Sequence, residues 1–102
     1  MPLAHMVYFT LHDNSPSARQ ALLASCREYL TDHPGTVYFS CGTLNETLSR
    51  PVNDREFDVV LNVVFASLAD HDAYQVSERH LRFIAVNKPT WKKVRVFDSD
   101  VE

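Results

Sequence analysis

Phe57-Asp58-Val59-Val60-Leu61-Asn62-Val63-Val64-Phe65 decides how this chain folds. Its β-branched and aromatic residues predict a strand from about Glu56 to Ala66. Phe57, Val59, Leu61, Val63 and Phe65 then face one way, and Val60, Asn62, Val64 and Ala66 the other. Both faces are largely apolar, as expected of a strand covered on both sides. Ser67, with Asp70 three residues on, is a helix-start signature. Residues 68–75 read as a short helix carrying Tyr74. Ser77 caps another, which carries His80, Leu81, Ile84 and Ala85 until Asn87-Lys88-Pro89 stops it.

Outward from that stretch the pattern stays simple. Residues 3–12 alternate, with Leu3, His5, Val7, Phe9 and Leu11 on one face and Ala4, Met6, Tyr8, Thr10 and His12 on the other. Ser15-Pro16 opens a helix whose apolar residues, Ala18, Leu22, Cys26, Tyr29 and Leu30, are mostly spaced by three and four. His33-Pro34-Gly35 ends it, and Thr36–Gly42 reads as a strand. The polar segment 43–55 is the longest irregular stretch and is expected to be mobile. A last strand runs from Trp91 to Asp98, with Val94 and Val96 on one face and Arg95 and Phe97 on the other. The order β-α-β-β-α-β predicts an α+β, ferredoxin-like split βαβ unit: one four-stranded antiparallel sheet with its helices on one face. The second face, with Met6, Tyr8, Val60 and Val64, has no helix left to cover it. Its simplest cover is a second copy, so a homodimer is expected, sheet on sheet.

Composition narrows the function. The chain has 102 residues, one domain's worth, with 45% hydrophobic residues and a net charge of −3. A nucleic-acid binder would show a clustered basic face, but strand alternation splits Lys92, Lys93 and Arg95. No apolar run is long enough to span a membrane. The first residues lack a signal-peptide pattern, and Cys26 and Cys41 fit neither a zinc knuckle nor a redox dithiol. Free thiols and a reducing, cytoplasmic setting are expected. Two glycines and no phosphate loop argue against nucleotides, and no cofactor is implied. The five histidines lack metal-ligand spacing and an accompanying carboxylate cluster, so no metal is expected.

Candidate chemistry rests on His80, Tyr74 and His5. Imidazole titrates near neutral pH and can act as a general base, while a phenol can polarise a carbonyl. In one unbroken helix Tyr74 and His80 would diverge by about 120°. They converge only if the chain bends between Gln75 and Ser77, which the capping serine favours. Val59, Leu61, Phe83 and Trp91 are the expected lining of a pocket between sheet and helices. The competing reading makes all of these packing groups, with His80 bonded to a backbone carbonyl and His5 a satisfied core histidine. His12, His33 and His71 read as loop or surface residues. Asp98 closes the last strand, where it meets backbone amides or a positive neighbour.

Over nearly its whole length the chain resembles the stress-responsive A/B barrel family of dimeric α/β-barrel proteins. The resemblance rests on His5, Pro34-Gly35, Phe57-Asp58 through Phe65, Tyr74 followed by His80 and Phe83, Trp91, and the terminal Phe97-Asp98. It implies a ferredoxin-like protomer pairing into a closed barrel. One enzymatic branch closes the ring of a linear polyketide, with a tyrosine and a histidine that match Tyr74 and His80 and a first-strand histidine that matches His5. The chain departs from that branch at Val59, Cys26 and Ser77-Glu78, where the branch has histidine, tyrosine and His-Pro. The resemblance therefore implies binding of a small apolar or polyketide-like ligand, with cyclase- or lyase-like acid/base chemistry. Its alternatives are a non-catalytic, stress-protective dimer, and a monooxygenase of the wider barrel group, whose haem form would need an axial ligand.

Overall fold

β1 (Leu3–Leu11) lies inside the sheet, hydrogen-bonded on one side to β3 (Val59–Phe65) and on the other to β4 (Trp91–Asp100). β2 (Thr36–Thr43) completes the order β2-β3-β1-β4, antiparallel throughout. The computed structural model describes all 102 residues. α1 (Pro16–Tyr29) connects β1 to β2, and α2 (Leu68–Val76) and α3 (Glu78–Asn87) connect β3 to β4 through a single 3-10 turn, Lys88–Thr90. This is the ferredoxin-like unit that the element order predicts, with three helices on one face.

The core lies between that face and the helices. Phe9, Leu61, Val63 and Phe65 meet Leu22, Cys26, Leu30 and Phe83, and all eight are at most 2% exposed. Ser15 caps α1 by accepting from Ala18 N at 3.3 Å, with Pro16 at the first helical position. Polar ties lock α3 to α1. Asn87 Nδ2 donates to Ser25 Oγ at 2.7 Å, and the Arg79 guanidinium donates to the Glu28 and Thr31 carbonyls at 2.6 and 2.7 Å. The Glu28 carbonyl is one that the end of α1 leaves unpaired, and Thr31 follows just beyond its C-cap, Leu30. Gly35 has φ 82°, and the Asp70 side chain occupies the space where a Cβ would stand, so only glycine lets α2 start this close to β2.

Two expectations need correction. β3 begins at Val59, not near Glu56, because Asp58 breaks the alternation. Asp58 N donates to Phe9 O at 2.8 Å and its carboxylate accepts from Leu11 N at 2.8 Å, clamping a bend to the end of β1. Phe57 therefore leaves the helix side and packs edge-on against Tyr8, ring centroids 5.0 Å apart, on the open face. The polar segment after β2 is irregular but tied down. Arg55 donates to the carbonyls of Asn45, Glu46 and Leu48, and Asp54 pairs with Arg95 at 2.7 Å.

The open face carries Met6, Tyr8, Val60, Asn62 and Val64, all half-buried, and Phe97, which is 53% exposed. Cys26 and Cys41 are both free thiols. Burial pushes the Cys26 thiol up to about 12, so it is protonated and inert at neutral pH. No helix is long and apolar enough to cross a membrane.

Candidate functional site

The break between α2 and α3 is made by one hydroxyl. Ser77 is extended (φ −65°, ψ 149°), and its Oγ donates to Tyr74 O at 2.9 Å while accepting from His80 N at 3.2 Å. It closes one helix and opens the next. The bend brings the Tyr74 and His80 rings to 4.6 Å between centroids, where a continuous helix would have separated them.

A cavity of about 170 Å³ lies at this point between helices and sheet. His5, Tyr74, His80, Leu61, Phe83 and Trp91 all line it, with Gln75 at its edge. Val59 does not. It is fully buried in the core behind the cavity. Trp91 stacks near Phe9 (5.0 Å) and Phe83 (5.9 Å) and forms one wall.

The hydrogen bonds fix the form of each imidazole. His80 Nδ1–H donates to Gln75 O at 3.1 Å. A carbonyl can only accept, so Nδ1 carries the proton and Nε2 is left as the lone-pair nitrogen. Burial lowers the His80 pKa below its usual value, the Gln75 bond opposes this, and the neighbouring histidines add to the lowering. His80 is thus a neutral base at pH 7. His5 Nδ1–H donates to Asp98 Oδ1 at 2.5 Å, a short charge-assisted bond from a buried imidazole to a half-exposed carboxylate. Asp98 faces His5 because the two are opposite each other in the β1–β4 register.

Tyr74 is 2% exposed, and burial raises its phenol pKa. Its hydroxyl has no hydrogen-bond partner in the protein, and neither does the buried Trp91 Nε1–H. Buried donors are rarely left so, and both belong to residues that line the cavity.

Two histidines expected at the surface belong to this cluster. His33 is buried, donates from Nε2 to Tyr29 O at 2.8 Å and stands edge-on to Tyr74 at 4.9 Å. His71 lies 5.1 Å from His5, ring to ring. His71 is three residues before Tyr74 and so shares its helix face, a signal present in the sequence. Nothing in the sequence marks His33. For Asp98, alternation with Val94 and Val96 gives the face, and only the strand register gives the partner.

Known proteins place this architecture. The family model of the stress responsive A/B barrel domain matches residues 3–101. No curated protein matches the chain. Among solved structures, a dimeric ferredoxin-like protein of unknown function from Thermobifida fusca superposes with TM-score 0.81 at 16% identity, over 99% of this chain and 92% of its own. A Dabb family protein with a ferredoxin-like fold from Mesorhizobium loti gives 0.79 at 20% identity, over 99% and 97%. Hydroxynitrile lyase from Passiflora edulis gives 0.78 at 21% identity, over 99% and 94%. At these identities the structures share the fold, and the family model spans nearly every residue: the chain belongs to the stress responsive A/B barrel domain family.

Proposed function

We propose that this protein is a homodimer that binds a small carbonyl compound in the cavity between helices and sheet and performs acid/base chemistry on it. One observation carries the reading. Two buried donors without a protein partner, Tyr74 O–H and Trp91 Nε1–H, belong to residues that line the same cavity as the neutral imidazole of His80. A carbonyl or alkoxide oxygen would satisfy the Tyr74 hydroxyl, and a second polar group of the ligand the Trp91 Nε1–H. His80 Nε2 would take or return the proton, and His5, held by Asp98, would orient the substrate.

Size limits the substrate. A cavity of about 150 Å³ takes up benzene, and this one is about 170 Å³. An extended polyketide chain exceeds that, so a benzene-sized aldehyde or its cyanohydrin fits better. The lyase from Passiflora edulis lends the reaction class: proton removal from a hydroxyl, cleavage of the C–CN bond, and protonation of the departing cyanide. The dimer is supported by the uncovered apolar face and by the dimeric relative from Thermobifida fusca.

The test uses benzaldehyde and its cyanohydrin. Wild type should sediment at twice the chain mass, benzaldehyde should quench Trp91 fluorescence, and cyanohydrin should be cleaved. Tyr74→Phe should weaken binding and cleavage at least about tenfold while leaving the melting temperature unchanged or higher, since it removes an unsatisfied buried hydroxyl. A Tyr74→Phe protein that melts lower with no change in either readout would make Tyr74 a packing residue and end this reading.

A further inference from the structure

The His5–Asp98 pair opens toward α2, where His71 stands. We propose that His5, His71 and Asp98 bind one divalent transition-metal ion at the rim of the cavity. One nitrogen of each imidazole and one oxygen of the carboxylate lie within 4.8 Å of one another, brought together from β1, α2 and β4. Two imidazoles and a carboxylate suit ions such as zinc, cobalt(II) or iron(II), and three protein ligands leave positions open for water or substrate.

The adjustment needed is small. Nitrogen and oxygen ligands at about 2.0–2.2 Å from a tetrahedral ion stand roughly 3.3 Å apart. Asp98 must draw back from its 2.5 Å bond to His5, and His71 must close in. Asp98 is 43% exposed near the end of β4 and is free to turn toward the ion, while His71, whose side chain is 15% exposed, already faces His5 ring to ring at 5.1 Å.

A second observation concerns His71 itself. Its Nδ1–H donates to Asp72 Oδ1 at 3.0 Å, which leaves Nε2 as the lone-pair nitrogen. A ligating histidine is commonly held this way, by a carboxylate on its far nitrogen. The only other partner of Nε2 is the Gln75 amide at 3.5 Å, a bond long enough to be displaced readily. Asp98 supplies one negative charge against the incoming cation.

This site shares His5 and Asp98 with the reading above but uses neither Tyr74 nor His80, and its occupancy can be read without an organic ligand. Chelator-treated protein is titrated with cobalt(II), followed by visible absorption, and with zinc(II), followed by calorimetry. One ion per chain is expected. His71→Ala and Asp98→Asn should each weaken uptake at least about tenfold, and His12→Ala, on an exposed loop, should not. Melts of the metal-free variants establish that they fold. Absence of saturable uptake up to about millimolar cobalt(II), or wild-type affinity in folded His71→Ala, overturns the proposal. Neither result touches benzaldehyde binding.

Discussion

The two βαβ halves of this molecule share one architecture and use it differently. In the first, the crossover from β1 to β2 is one unbroken helix, α1, whose buried residues are Leu22, Leu23 and Cys26. In the second, the crossover from β3 to β4 is broken at Ser77 into α2 and α3, whose buried residues are Tyr74, His80, Phe83 and Asn87. One half buries an apolar stripe against the sheet. The other buries hydrogen-bonding groups and encloses a cavity. The difference teaches that a single side-chain cap can convert a packing element into a site, because interrupting the helix re-aims residues that its period would have kept apart.

That contrast can be broken at three points. The largest effect is expected in the first half. Leu22→Ala removes a side chain that is 2% exposed and should cost about 2–5 kcal/mol. Thermal melts should show it, while benzaldehyde affinity extrapolated to the folded protein stays unchanged. A selective loss of affinity would mean that α1 belongs to the site. Next comes Ser77→Ala, which removes the oxygen that caps both helices. It should cost about 1 kcal/mol and lose ligand binding out of proportion, as His80 drifts from Tyr74. Equal affinity in this variant would detach the cap from the site.

The smallest effect is a pH dependence confined to the second half. The folded His80 pKa lies below its unfolded value, so as pH falls the native state binds fewer protons than the unfolded chain. The stability this contributes is complete above about pH 6.5 and is lost as pH drops toward the folded pKa. His80→Asn should flatten that part of the curve between neutral pH and pH 5, measured by melting temperature. The carboxyls of Asp13 and Asp54, held low by hydrogen bonds from Ser15 and Arg95, act at lower pH and should be unaffected. An unchanged slope would assign the acid sensitivity elsewhere.

Local signals made much of this legible. Strand alternation, the Ser15-Pro16 start and the Ser67 and Ser77 caps each depend on a few adjacent residues, and together they specify the topology. The pairing of Tyr74 with His80 followed from Ser77 for the same reason. What stayed hidden depends on distance along the chain. His5 and Asp98 are 93 residues apart, and their contact exists only through the β1–β4 register. Alternation carried through Asp58 puts Phe57 on the helix side, and the bonds of Asp58 to β1 that overturn this are long-range. His33 is buried by the fold around the end of α1, where the sequence shows only a loop.

The central place of β1 has a consequence for how the chain is made. Of the four strands β1 is made first, yet one of its edges pairs with β3 and the other with β4, the fourth in chain order. Contacts of such sequence separation form slowly, because a long loop must close first. A nascent chain that has reached α3 can assemble the Ser77 turn and bring Tyr74 to His80. It still lacks the strand that gives His5 its carboxylate and Trp91 its place in the wall. The sheet and the site are therefore completed in the same late step, and the ordering of the final strand switches on both at once.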